Sequence, residues 1–174
     1  MPMNEDRFWQ VIADCNLREF DVEEWGSQLA AALKRLPPDE IIEWNHIFDR
    51  FAAAAYTADL IAACCLINTG AGSDGFYYFR CWLIGMGRSV YEAAVQNADS
   101  LADTVMDFVN PRRDAEAEIY WAAHHAWMAV TGQPDTAHYP ARNEAAEFKG
   151  EDWDTESRPL RRKRLPRLSA LYGE

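Results

Sequence analysis

The chain has 174 residues, 49% of them hydrophobic and 13% aromatic, and a formal net charge of −11. This is one globular domain's worth of chain with enough apolar mass for a real core, which excludes a disordered or fibrous protein. The acidity sets the surface against nucleic acid and anionic membrane. The longest apolar run, Phe51 to Ile67, is 17 residues with Asp59 inside it, short of the about 20 needed to cross a bilayer.

In chain order, the pattern predicts helices over 4–16, 21–36, 38–55, 57–68, 74–97, 100–109 and 111–131. Asn4 is placed to cap the first, with Glu5 and Asp6 in the opening turn and Phe8, Val11, Ile12 and Cys15 on one face. Asp21 with Glu24 three residues on has the form of a capping box, and Val22, Trp25, Leu29, Leu33 and Leu36 follow at helical spacing. Pro37-Pro38 ends that helix and begins the next, which carries Ile41, Trp44, Phe48 and Phe51 on one side and solvated charges such as Asp49 on the other. Thr57 is a cap for the fourth helix.

Phe76 to Gly87 holds five aromatic residues, two glycines and a single charge, Arg80, and is expected at the centre of the core. Ser73-Asp74 supplies a helix start, and no other segment offers a strand partner. Gly85 and Gly87 bend or break the helix. Gly85-Met86-Gly87 lacks the strand, third glycine and lysine of a phosphate loop, so close helix packing is its expected role. Asp99 or Ser100 caps the short helix after Asn97, and Pro111 opens the last long one.

After Gly132 prolines punctuate the chain, and residues 133–157 are expected to be irregular, with a helical turn at Asn143 to Phe148. The fold expected is all-α, a compact multi-helix orthogonal bundle over 1–132 followed by an irregular C-terminal arm over 133–174. Residues 1–132 carry 9 basic and 20 acidic side chains, hence −11, whereas 133–174 carry 8 of each. Ser157 to Arg167 contains six Lys or Arg and no acid. Without interleaved aromatics, this strip is expected to dock on the protein's own acidic body or to be solvated, rather than to bind nucleic acid.

The chain resembles the bacterial domain-of-unknown-function family 4240. The residues that carry the resemblance are Phe8-Trp9, Tyr56-x-x-Asp59-Leu60, and Ser73-Asp74-Gly75-Phe76-x-x-Phe79-Arg80-x-Trp82-Leu83-Ile84-x-x-Gly87-Arg88. Asn97-x-Asp99-Ser100-Leu101-Ala102 completes the set. It spans about residues 4–130 and implies a helical, cytosolic bacterial domain, with no reaction and no catalytic residues attached. The family pattern has Asn-Pro where this chain has Asn97-Ala98, and residues 133–157 inherit nothing from it.

Candidate functional residues concentrate on the last long helix. Asp114, Glu118, Trp121 and His125 share one side of it, with His124 a step round. Trp121, Glu118 and His125 are therefore candidate binding residues; a solvated helix face is the alternative. Glu116 falls with Ile119, Ala123 and Trp127. It is either an acid at the helix edge or a pocket acid of raised pKa, and with His124 and His125 it is a catalytic candidate. Asp59 and Arg80, the only charges in the two most apolar stretches, are expected to form a buried ion pair. The alternative gives each a separate role, as a helix-start residue and a snorkelling arginine.

Cys15, Cys64, Cys65 and Cys81 form no metal-ligand spacing, so no metal, disulfide or cofactor is expected. No leader pattern opens the chain, and a cytoplasmic location is the expectation. Without a catalytic motif, the leading expectation is a non-enzymatic binding or accessory protein that recognises a protein or peptide partner. Two alternatives stand beside it. One is an enzyme or small-molecule binder with an interhelical pocket lined by aromatics and Glu116, His124 or His125. The other is an acidic nucleic-acid mimic. No oligomeric state follows from the sequence.

Overall fold

Local signals place most helices where the sequence puts them. In a computed structural model, residues 2–70, 72–104, 113–134, 138–140 and 146–173 are described, with 113–118 as helix backbone alone. Helix α1 (Glu5–Asp14) begins where the Asn4 side-chain oxygen accepts the Arg7 N–H at 2.9 Å. Helix α3 (Pro38–Ala54) opens on its proline, which needs no hydrogen-bond partner there. Thr57 caps helix α4 (Ala58–Ile67) through the Leu60 N–H at 3.2 Å.

Two boundaries differ from the sequence pattern, and a third falls where the glycines put it. The Asp21 side chain makes no capping bond; Val22–Glu24 forms a 3-10 turn, and helix α2 (Trp25–Leu33) starts after it. The Trp25 indole donates to the Phe20 carbonyl at 3.2 Å and so ties the incoming chain across this start. Ser73 is the first residue of helix α5 (Ser73–Gly85) rather than its cap. Helix α6 (Arg88–Gln96) is separate from α5, because Gly87 takes a φ of 94°, which a side chain would resist.

Ala98–Asp103 is a 3-10 turn opened by Asn97, whose side-chain oxygen accepts the Asp99 N–H at 3.1 Å. The rest of the helix expected to 109, and the start expected at 111, lie outside the described residues. Helix α7 (Arg113–Thr131) packs along α2 and against α5 and α3. Among the described residues there is no strand, only an isolated parallel bridge between Thr57 and Lys149.

The stretch chosen from composition is the centre of the core. Phe79, Cys81, Trp82, Leu83 and Ile84 are fully buried and join Phe8, Trp25, Leu29 and Trp44 in one cluster. Each large side chain removed from water contributes about 1.5–3 kcal/mol. At Gly85 the helices meet so closely that a Cβ would stand 2.8 Å from Ile119 Cδ1.

The C-terminal segment is more ordered than its prolines suggest. The described residues of 133–157 hold no helix, and 143–145 of the expected turn lie outside the description. Beyond them, helices α8 (Arg158–Arg164) and α9 (Pro166–Leu171) each carry a proline in the first turn. Leu165 and Leu168 are buried in the main core. Asp99, itself buried, accepts the Arg167 N–H on both carboxylate oxygens (3.1 and 3.2 Å) and the Leu168 N–H at 3.0 Å. A residue expected to cap the chain beside it thus caps a helix 68 positions on. The basic strip docks on acids of its own chain: Arg167 pairs with Asp103, and Arg164 with Glu151 and Asp59.

Candidate functional site

Side chains on a helix lean towards its N-terminus, so a long residue lies over positions three, four and seven before it. Arg80 does this on α5. Its guanidinium carbon lies 5.0 Å from the ring centres of Phe76 and Tyr77, one turn back, and equally 5.0 Å from Tyr56 at the end of α3. Ser73, two turns back, opens the helix. Facing this row, α3 presents Asp49, Ala52 and Ala53, and the turn after it adds Tyr56 at the same spacing. The two rows enclose a cavity of about 280 Å³, closed on one side by Ala146 of the C-terminal arm.

The cation is held without a carboxylate. Arg80 Nη1 donates to the Ala52 carbonyl at 2.7 Å, in the last turn of α3. Its Nε is buried with no hydrogen-bond partner among the described residues, and the residue is only 6% exposed. Burial pulls the guanidinium pKa below its usual range. The rings offset part of the desolvation by cation–π attraction, but no described acid pairs with it.

The expected Asp59–Arg80 pair therefore does not form, because each charge meets a nearer partner. Asp59 faces the C-terminal arm, where its Oδ1 accepts from the Trp153 indole at 2.8 Å and from Arg164 at 3.5 Å. Both partners come from a segment whose docking position nothing local specifies.

Asp49 brings the opposite charge to the cavity wall. Its Oδ2 accepts from Asn45 Nδ2 at 3.0 Å, an i,i+4 bond along α3. Burial, with neighbouring charges including Asp49, pushes the Tyr77 phenol well above its ordinary pKa and keeps it protonated. Tyr77 also sets its ring edge against Tyr120 of α7, 5.4 Å between centres. The arm closes the other end: Phe148 packs edge-on against Tyr56 at 5.4 Å, and the Lys149 N–H donates to the Tyr56 carbonyl at 2.8 Å.

Of the residues singled out on α7, His124, His125 and Trp121 are not among the described residues that line this cavity. His124 is half-buried next to Tyr139, 5.0 Å between ring centres, and its Nε2 has no partner among the described residues. His125 is exposed, and Trp121 is 43% exposed with its ring against Tyr120. Glu116 and Glu118 fall on α7, but their side chains lie outside the described residues, as does that of Asp114. Among the described residues no group of three His, Cys, Asp or Glu side chains is gathered as a metal site, and the four cysteines form no disulfide. No described helix is long and apolar enough to cross a membrane.

Asp49, Tyr56, Ser73 and Tyr77 went unmarked as site residues in the sequence. A signal for them existed: two runs spaced i, i+3, i+4, i+7, one ending and one beginning in a polar group. Nothing in the sequence says that the two runs face each other.

A family model described as a protein of unknown function (DUF4240) matches residues 3–129. No curated protein and no solved structure matches the chain.

Proposed function

We propose that this chain, which belongs to the DUF4240 family, is a small-molecule-binding protein whose site is the cavity between α3 and α5. The observation that carries the reading is Arg80: a cation 6% exposed, lining a cavity of about 280 Å³, with no acid among the described residues paired to it. A buried charge left without a counter-ion costs several kcal/mol, and an arriving anion recovers part of that cost. A planar guanidinium suits a carboxylate better than a point charge would. The Ser73 hydroxyl stands at the positive end of the α5 dipole on the same wall and favours the same sign of ligand. The aromatic rings and the alanines of α3 accept the apolar body of such a molecule. The cavity volume fits a compact metabolite.

The protein- or peptide-partner reading retains one supporting observation, the exposed Trp121 beside Tyr120 on α7. Tryptophan is a frequent interface anchor, but one exposed ring specifies a partner less than a buried cation specifies a charge.

Isothermal titration with 3-phenylpropanoate and with phenylalanine tests the small-molecule reading. Saturable binding of at least one by the folded protein is expected, reduced about tenfold or more in Arg80→Met, the loss of one charged hydrogen bond. If neither binds at millimolar concentration, or if Arg80→Met binds as the parent does, the reading fails.

A further inference from the structure

A cation only 6% exposed is out of a ligand's reach until some part of the cavity wall moves. The two helical walls are fixed, because Ala52, Phe76 and Phe79 are buried in the main core. The third wall is built differently. Residues 146–150 form no helix, and 147–150 are exposed. Among the described residues they are held to the body by the Phe148 ring on Tyr56 and by the Lys149 N–H on the Tyr56 carbonyl. The Lys149 ammonium pairs with Glu147, inside the same segment. From this contrast we infer that residues 146–150 are a gate over the Arg80 cavity, leaving Tyr56 to admit the ligand and closing behind it while α8 and α9 stay docked. The inference rests on the small-molecule reading above and adds how that site is entered and shut.

Three physical points support the assignment. First, a segment held by one backbone hydrogen bond and one half-exposed ring opens far more readily than the core it covers. Second, the chain just beyond it is anchored. The Trp153 indole donates to Asp59 at 2.8 Å, with the Arg164 guanidinium carbon 5.1 Å from its ring centre, and Leu165 and Leu168 are buried. Gly150, at a φ of 78° that a side chain would resist, stands between gate and anchor as a hinge. Third, Tyr56 joins gate to site. Its ring lies 5.0 Å from the Arg80 guanidinium carbon on one side and takes the Phe148 edge on another. A ligand that settles Tyr56 against Arg80 therefore also settles the gate, and the closed gate excludes water and strengthens the charge contact.

Amide hydrogen exchange, read by NMR on the full chain, follows the gate at Lys149 and the anchor at Leu168, whose N–H Asp99 accepts at 3.0 Å. In the free protein Lys149 is expected to be at least about tenfold less protected than Leu168, because it opens without α9. Equal protection of the two overturns the gate, since the segment would then open only with the whole arm. Saturating 3-phenylpropanoate should raise the protection of Lys149 about fivefold or more, an ordinary coupling between two linked events. By the same linkage Phe148→Ala, which leaves the buried core intact, should weaken 3-phenylpropanoate about fivefold. Calorimetric binding with unchanged Lys149 exchange, or unchanged affinity in Phe148→Ala, overturns the gate and leaves the small-molecule reading standing. Absence of binding by the parent protein refutes that reading, and the gate with it. The exchange comparison uses the unaltered chain, so it does not depend on whether a variant folds.

Discussion

Replacing Gly85 by alanine sets helix propensity against packing, and the geometry decides the sign. On propensity alone, alanine stabilises a helical position by about 1 kcal/mol relative to glycine. Here the new Cβ would stand 2.8 Å from Ile119 Cδ1 and 2.9 and 3.0 Å from Trp25 Cε3 and Cζ3, where carbon atoms prefer about 3.5–4.0 Å. Trp25 is 0% exposed and Ile119 1%, so neither can swing into solvent, and an indole ring does not flex. Overpacking of this kind costs about 1–3 kcal/mol. With two rigidly enclosed neighbours the upper part of that range applies, leaving a net loss of about 1–2 kcal/mol. Urea unfolding should show a lower midpoint with an unchanged slope. Ile119→Val removes the offending Cδ1 and on its own costs about 0.5–1.5 kcal/mol. Combined with Gly85→Ala it should relieve the clash, giving a favourable coupling of about 1 kcal/mol. A Gly85→Ala protein as stable as the parent, or a strictly additive cycle, would refute the reasoning.

Three further outcomes follow from the C-terminal docking and from the buried phenols. Asp99→Ala leaves the first N–H groups of α9 without their acceptor and should cost about 1–2 kcal/mol, the range of a lost helix cap; hydrogen exchange at 167–171 should accelerate, and unchanged protection there would contradict the assignment. Deleting residues 157–174 withdraws Leu165 and Leu168 from the core and should lower stability by about 3–6 kcal/mol, at about 1.5–3 each; an unmoved urea midpoint would show that the segment is dispensable. Burial pushes the Cys15 thiol up to about 11 from its ordinary 9.0 and raises the phenols of Tyr77, Tyr91 and Tyr139 as well. These groups bind their protons more tightly in the folded state, so the stability they contribute is complete below their ordinary values and is lost as pH rises through the folded ones. The urea midpoint should therefore fall steadily above pH 9, and a flat profile to pH 11 would contradict the burial of these groups.

What could be read from the sequence was what neighbouring residues decide among themselves. Asn4, Thr57 and Pro38 act within one turn of where they stand, so their roles follow from spacing. The all-α class follows from the apolar periodicity and from the want of any strand partner for Phe76 to Gly87. Asp21 was misleading because a capping pattern is only permissive: the Trp25 indole, tied to the Phe20 carbonyl, starts the helix later. Asp59 and Asp99 were illegible for a different reason. Their partners lie 94 and 68 positions away, in a segment whose prolines gave no hint of two helices. The cavity falls between these cases. Its two rows of residues can be found by spacing, but their facing each other depends on how α3 and α5 cross, which no local pattern encodes.

The capping of α9 by Asp99 also sets an order of events during synthesis. Asp99 and the apolar floor around it leave the ribosome well before residues 165–171 exist. Until those residues emerge, the nascent body holds a carboxylate aimed at donors not yet made and leaves the berth of Leu165 and Leu168 open to water. Domains assemble from the N-terminus as they are made, and exposed apolar surface at that stage invites association. Much of the fold can form on the elongating chain, but the last seal on its core waits for translation to reach α9. A nascent chain stalled before that point would carry an unfinished core into the cell, where a chaperone or a protease would meet it first.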